Sequence, residues 1–240
     1  MGEWFEDWFD ADYARLYAHR DAEEARTAVA TALREAPELA RGPVLDLGCG
    51  AGRHLEALAR VNPEALGLDL SAPLLALAPV LLRPRLVRGD MRTLPFRPGA
   101  FQGICLWFTP FGYFDDDANR ALLADLARLA RPGGVLLLDY LNAAHAARTL
   151  VPEDTVARDG IRAHSRRSLE GDRLVKRITL TRLADGCTRE ALESVRLYTP
   201  AEVESLAEGA GWRLRRSLGD YGGAPFAPDS PRWIGIFGKP

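Results

Sequence analysis

The stretch Pro43-Val44-Leu45-Asp46-Leu47-Gly48-Cys49-Gly50-Ala51-Gly52-Arg53-His54 constrains this chain more than any other part of it. A short apolar strand runs into three alternating glycines and then into a helix. Glycines at 48, 50 and 52 let the backbone turn tightly and approach a ligand, and the helix that starts near Gly52 points unpaired N–H groups at the same place. Such a loop cradles something polar, and the surrounding residues narrow down what. A dinucleotide fingerprint needs a third glycine where Arg53 stands, and Asp46 would repel a pyrophosphate. A ligand with an ammonium or sulfonium group in place of phosphates would be attracted.

From about residue 43 to residue 140, short apolar strands alternate with helical stretches. Strands are predicted at Val44 to Leu47, Ala65 to Leu70, Arg85 to Arg88, Phe101 to Trp107 and Gly133 to Tyr140, a pattern of parallel, doubly wound α/β architecture. Arg53 to Val61 and Asp117 to Arg131 carry apolar residues at helical spacing, and Pro132-Gly133-Gly134 closes the second helix. The helix after Ser71 is interrupted by Pro79.

Residues 3 to 36 read as one or two helices, with Trp4, Phe5, Trp8 and Phe9 at i, i+4 spacing, then Tyr13, Leu16 and Tyr17. They either cover the ligand cleft or anchor the segment to the core, the latter being the reading for the two tryptophans. Beyond Asn142, Ile161 to Leu169, Leu174 to Leu183 and Ala191 to Tyr198 alternate like strands around the turn signals Glu170-Gly171-Asp172 and Ala184-Asp185-Gly186, an antiparallel insertion. Thr199-Pro200-Ala201-Glu202 opens a helix to about Gly209, and two strands follow near Trp212 to Leu218 and Trp233 to Gly238. The expected organisation is one domain over 1–240. It comprises an N-terminal helical cover (1–36), a cofactor-binding core (43–140), an antiparallel β lid (155–198) and a closing helix and strand pair (199–240).

Asp69 ends the second strand, 23 positions after Asp46, where an acidic residue reaches both ribose hydroxyls as acceptor. Capping the next helix is the competing role, which Ser71 already suits. Asp90, in Arg88-Gly89-Asp90-Met91, is placed to accept from an adenine amino group while Met91 packs against the ring face. These residues resemble the class I S-adenosylmethionine-dependent methyltransferases, with Leu-Asp-Leu-Gly-Cys-Gly-Ala-Gly-Arg-His, Gly-Leu-Asp-Leu-Ser, Arg-Gly-Asp-Met and Arg-Pro-Gly-Gly in this order. The resemblance spans residues 43 to 140, and the later helix and strand pair fit the family's usual ending. It implies a Rossmann-like seven-stranded sheet whose last strand is antiparallel. It also implies S-adenosyl-L-methionine as cofactor, with Asp46 and the glycines around the methionine portion, Asp69 on ribose, and Asp90 with Met91 at adenine. The candidate cofactor-binding set is Asp46, Gly48, Cys49, Gly50, Gly52, Arg53, Asp69, Leu70, Asp90, Met91, Trp107, Phe108, Tyr13 and Tyr17.

The segment Phe108-Thr109-Pro110-Phe111-Gly112-Tyr113-Phe114 follows the fourth strand, where aromatic faces can meet the sulfonium and the acceptor. Family members that methylate amide or adenine nitrogens usually carry an Asp/Asn-Pro-Pro-aromatic motif here. This sequence departs from it, which weighs against DNA and glutamine-amide substrates. Methyl transfer is an in-line displacement that needs alignment first and a base only if the acceptor is protonated. Candidate catalytic residues are Tyr17, His54, Tyr113 and Tyr221, with Tyr13, His19, Asp139 and Tyr140 as further possible bases. Each has a structural role as its alternative. A helix N-terminus would keep His54 neutral. Asp220-Tyr221-Gly222-Gly223 is expected to form part of the acceptor pocket.

Hydrophobic residues make up 47% and charged ones 27% of 240 residues, enough for a full core, and no apolar run reaches membrane-span length. The three cysteines, Cys49, Cys105 and Cys187, have no CxxC spacing, so neither a metal site nor a disulfide framework is expected. A net charge of −2 gives no global nucleic-acid footprint. Arg158, Arg162, Arg166, Arg167, Arg173, Lys176, Arg177 and Arg182 in the insertion form either a solvated face, an anion-attracting lid or a dimer surface. The expectation is a cytoplasmic methyltransferase acting on a small molecule, as monomer or homodimer, with no DNA or membrane partner. The alternatives are a protein or RNA methyltransferase and a non-catalytic S-adenosylmethionine-binding protein. A nicotinamide dehydrogenase ranks last, for want of the third glycine.

Overall fold

The computed structural model describes residues 3–17 and 22–240. The chain opens with three helices, α1 (Trp4–Trp8), α2 (Ala11–Leu16) and α3 (Ala22–Glu35), where the sequence suggested one or two. The break between the first two is set by Asp10, whose carboxylate caps α2 by accepting from the Asp12 and Tyr13 N–H groups at 2.9 and 3.0 Å.

The core follows as β1 (Val44–Leu47), α4 (Arg53–Ala59), β2 (Ala65–Asp69), α5 (Ala72–Leu77), β3 (Leu86–Arg88), β4 (Phe101–Leu106), α6 (Asp116–Leu129) and β5 (Ala130–Leu141). Next come α7 (Ala143–Arg148), the strands β6 (Glu153–Arg158), β7 (Ile161–Glu170), β8 (Arg173–Arg182) and β9 (Thr188–Arg196), then α8 (Pro200–Gly209), β10 (Arg213–Leu218) and β11 (Arg232–Gly238). Seven strands make one sheet in the order β10-β11-β5-β4-β1-β2-β3, with β11 antiparallel to both neighbours. Every residue of β1 is buried because helices cover both faces of the sheet, so its run is apolar throughout except at Asp46.

The structure departs from the sequence reading in its element ends and in two further elements. Helix α6 stops at Leu129 and β5 begins at once, because Ala130 is already paired with Phe101 and the Lys239 ammonium takes the Ala127 and Ala130 carbonyls at 2.7 and 2.8 Å. The helix is therefore ended by a cation on its last carbonyls before Pro132 is reached. Strand β6 went unrecognised: it is an edge strand paired only with β7, largely exposed, with no apolar alternation to reveal it. Helix α7 was also missed; it buries none of its residues and is held by the Asn142 cap at 3.2 Å.

The second sheet, β6-β7-β8-β9, turns one face inward. Ile161, Ala163, Ile178 and Leu180 on that face pack with Trp8 and Leu16, forming an apolar cluster distinct from those of the seven-stranded sheet. Trp8 therefore anchors to the insertion and not to the main sheet. No helix among the described residues is long and apolar enough to cross a membrane.

Candidate functional site

The loops after β1, β2, β3 and β4 meet at the carboxyl ends of their strands, the place where open parallel sheets bind ligands. They enclose a cavity of about 290 Å³ whose far wall comes from α1 and α2. After β1, Gly48, Cys49, Gly50, Ala51 and Arg53 line it; after β2, Asp69, Leu70 and Ser71; after β3, Gly89, Asp90 and Met91; after β4, Trp107, Phe108 and Pro110. The cover supplies Phe5, Phe9, Tyr13 and Tyr17, and Tyr113 and Phe114 close the side.

The glycine loop takes its shape because Gly48, Gly50 and Gly52 all adopt positive φ, of 76°, 54° and 83°. A Cβ at Gly48 would come within 3.2 Å of Pro110, so the loop is also a close approach. Asp69 fastens it: Oδ2 accepts from Gly50 N at 2.7 Å and Oδ1 from Ser71 N at 2.8 Å. Each carboxylate oxygen keeps a second lone pair, a donor set that suits the two hydroxyls of a ribose. Ser71 caps α5 through Leu74 N at 3.1 Å, as the sequence suggested, and its hydroxyl also bonds the Phe9 carbonyl, tying the cover to this loop.

Asp90 reaches the cavity wall, but its carboxylate is occupied by Arg92, which donates to Oδ2 at 2.6 Å through Nη2 and from its backbone N to Oδ1 at 2.8 Å. Burial pushes this carboxyl up, and the Arg92 hydrogen bonds outweigh it, so the group sits below its ordinary value. The Arg92 guanidinium lies 5.1 and 5.3 Å from the Phe5 and Phe114 ring centres and 3.9 and 3.8 Å from the Glu3 and Glu6 carboxylates. It thereby joins the β3 loop to the cover. Sequence reasoning missed Arg92, although an arginine two places after the Asp of Arg-Gly-Asp-Met was visible.

Five expected residues stand elsewhere, Asp139 at the buried end of β5 among them. Asp46 is buried behind the loop, off the cavity wall, with Oδ2 lacking a hydrogen-bond partner among the described residues; burial, followed by the charge of Asp69, pushes its carboxyl up to about 8. Gly52 is the α4 cap and faces Leu82 instead of the cavity. Tyr221 does not line the cavity: its hydroxyl donates to Asp139 Oδ2 at 2.5 Å behind Phe108, so the expected acceptor-pocket role of residues 220–223 becomes one of support. Tyr140 is buried and donates to the Arg196 carbonyl, away from the cavity.

His54 does line the cavity, stacked on Trp107 with ring centres 4.8 Å apart. Burial, with Arg53 and Arg232 adding to it, holds it well below the ordinary histidine range, so the ring is neutral. His54 Nε2 and Trp107 Nε1 have no hydrogen-bond partner among the described residues. His19 lies outside the described residues. Burial raises the Cys49 thiol, which leaves it an unreactive wall residue. Tyr113 rests among Trp4, Phe5 and Phe9 at ring distances of 4.9, 6.4 and 5.9 Å.

The lid sheet holds this wall from outside. Arg173, expected on a solvated face, turns inward and donates to the carbonyls of Gly112, Tyr113 and Phe114 at 3.2, 2.8 and 3.1 Å. Lys176 is buried, donates to the Tyr17 hydroxyl and lies 3.9 Å from Glu193, which itself accepts from Trp8 Nε1 at 2.7 Å. Arg162, Arg166, Arg177 and Arg182 stay exposed.

A glycine loop with no phosphate-binding third glycine, a two-acceptor carboxylate one strand away and an aromatic wall form a site for a ribonucleoside bearing a positive charge. A methyltransferase-domain family model matches residues 44–134. The cypemycin N-terminal methyltransferase of a Streptomyces species is 30% identical over 209 residues, 78% of this chain and 79% of its own length. The chain belongs to the class I S-adenosylmethionine-dependent methyltransferases. The dTDP-3-amino-3,4,6-trideoxy-alpha-D-glucopyranose N,N-dimethyltransferase of Streptomyces venezuelae is also 30% identical, over 71% of this chain and 75% of its own length. The S-adenosylmethionine-dependent methyltransferase of Clostridium acetobutylicum shares the fold at a TM-score of 0.81 and 18% identity, covering 95% of this chain and 96% of that one. S-adenosylmethionine is the methyl donor of this methyltransferase, and an in-line displacement at its sulfonium is the chemistry the cavity must align.

Proposed function

We propose that this methyltransferase transfers the methyl group to an amine nitrogen of a small molecule. The observation that carries the reading is the cover: α1 and α2 line the cavity opposite the glycine loop and the lid sheet pins both helices, so an acceptor must enter past a wall of aromatic side chains, which favours a compact molecule. S-adenosylmethionine is proposed to lie along Gly48 to Ala51, with Asp69 on its ribose, Asp90 and Met91 toward adenine, and Tyr13, Tyr17, Trp107 and Phe108 around the sulfonium. Ring faces attract that cation and, after transfer, the methylated ammonium.

The nitrogen assignment has two supports. A free amine brings its own lone pair and needs no proton removed before attack, and the only imidazole on the cavity wall of the described residues is the buried His54. Two relatives are named for N-terminal and N,N-dimethyl transfer. The test measures S-adenosylhomocysteine release over a panel of small amines, phenols, carboxylic acids, peptides and RNA. Turnover with small amines is expected. Turnover confined to RNA or folded protein would discard the small-molecule reading, and turnover confined to phenols or acids would discard the nitrogen.

A further inference from the structure

Phe108 and Thr109 adopt φ of 62° and 67°, the left-handed region, although both carry side chains. Two such residues in succession persist only where their surroundings hold them, and an observed outlier of this kind at a cavity wall points to a function for the hold. Here one residue takes both backbone N–H groups of the turn. Asp139, fully buried at the end of β5, accepts from Phe108 N through Oδ2 at 2.6 Å and from Thr109 N through its backbone carbonyl at 2.9 Å. Its carboxylate is itself fixed by Arg232 Nε on Oδ1 at 2.5 Å and by the Tyr221 hydroxyl on Oδ2 at 2.5 Å. Arg232 also donates to Thr109 Oγ1 at 3.1 Å and lies 4.8 Å from the Phe108 ring centre. β5, β11 and the loop after β10 thus converge on one turn, and none of the three side chains lines the cavity.

We propose that Asp139 is a positioning residue for methyl transfer, which, set by Arg232 and Tyr221, holds the left-handed Phe108–Thr109 turn and so aims the Phe108 ring at the cofactor. A relaxed turn would swing Phe108 out of the wall. The proposal rests on the cofactor occupying this cavity and is independent of what the acceptor is.

Calorimetric titration with S-adenosylmethionine, which carries the sulfonium that the Phe108 ring is proposed to face, tests it, using Phe108→Ala, Asp139→Asn, and Asp139→Asn combined with Thr109→Gly. Asparagine replaces one acceptor oxygen by a donor and removes the charge facing Arg232. Asp139→Asn is expected to weaken binding on the order of tenfold, the ratio that one left-handed side-chain residue carries, and Phe108→Ala by a comparable factor through loss of the ring beside the sulfonium. Glycine at 109 has no left-handed penalty and is expected to recover most of the binding lost in Asp139→Asn, while the melting temperature stays low because Arg232 still lacks its partner. If Asp139→Asn does not fold, Tyr221→Phe with and without Thr109→Gly gives the same comparison without a stranded charge. A lowered melting temperature with unchanged affinity, or a loss that glycine does not recover, would reduce Asp139 to scaffold and overturn the proposal. Unchanged affinity in Phe108→Ala would overturn it separately, by removing Phe108 from the cofactor wall.

Discussion

Asp46 lies one residue before the end of β1 and Asp69 ends the adjacent β2; burial pushes both carboxyls up, yet only Asp69 faces the cavity. Asp69 has two backbone donors and a cavity in front of it, whereas Asp46 is buried with Oδ2 lacking a partner among the described residues and a carboxyl pushed up to about 8. A carboxyl whose folded value lies above its ordinary value of about 4 contributes stability that is complete below pH ~4 and lost as pH climbs toward 8. Asparagine mimics the protonated carboxyl. The melting temperature of Asp46→Asn should therefore gain on that of the parent as pH rises from about 4 to about 8 and hold level above that. Parallel melting curves across that range would show that Asp46 is ionised in the fold. For Asp69→Ala, loss of two charge-assisted hydrogen bonds at ~1.5 kcal/mol each predicts S-adenosylhomocysteine binding weakened about a hundredfold. Unchanged affinity in that titration would remove Asp69 from the ribose. Asp69 was legible because helix cap, strand end and spacing all lie within a few residues. The Asp139–Arg232 pair was not, since its partners are 93 positions apart and only the sheet order brings β11 beside β5.

At the scale of elements, the lid acts on the cavity wall chiefly through Arg173. Its guanidinium takes three successive carbonyls of the loop after β4 and also donates to Ser194 Oγ at 2.7 Å, so one side chain fixes both the start of β8 and the backbone carrying Tyr113 and Phe114. Lysine keeps the charge but lacks the planar fork. Arg173→Lys is expected to cost about 2 kcal/mol, a fall in melting temperature of roughly 4–8 °C for a chain this long. The same variant should raise amide exchange at 112–114. An unaltered melting temperature would mean the loop holds itself. The alternation of β7, β8 and β9 was readable from the sequence, but which arginines turn inward was not. In a strand Arg173 and Arg177 differ by a whole number of pleats, and the strand's twist together with the edge contact at 112–114 decides that one is clamped while the other pairs with Glu170 in solvent.

For the molecule as a whole, two cores sit side by side. The seven-stranded sheet has its own apolar clusters, and Trp8, Leu16, Ile161, Ala163, Ile178 and Leu180 form another that joins cover to lid. Polar ties reinforce the second: Arg189 meets Asp10 at 2.7 Å, and Trp8 donates to Glu193. The aromatic spacing from Trp4 to Phe9 announced a covering helix but not its division of labour, in which Phe5 and Phe9 face the cavity while Trp8 faces the lid; the lid is supplied by strands some 150 positions later. Because the joint lies off the main sheet, cover and lid should open as a unit without unfolding it. Trp8→Ala removes the largest side chain of the joint, a loss of ~3–5 kcal/mol for a buried tryptophan. Hydrogen exchange is then expected to rise in α1, α2 and β7 to β9 while β1, β4 and β5 keep their protection, and S-adenosylhomocysteine should dissociate faster through the opened roof. Loss of protection in β1 and β4 to the same degree would mean that the two cores unfold together, and the roof could then open only by unfolding the whole protein.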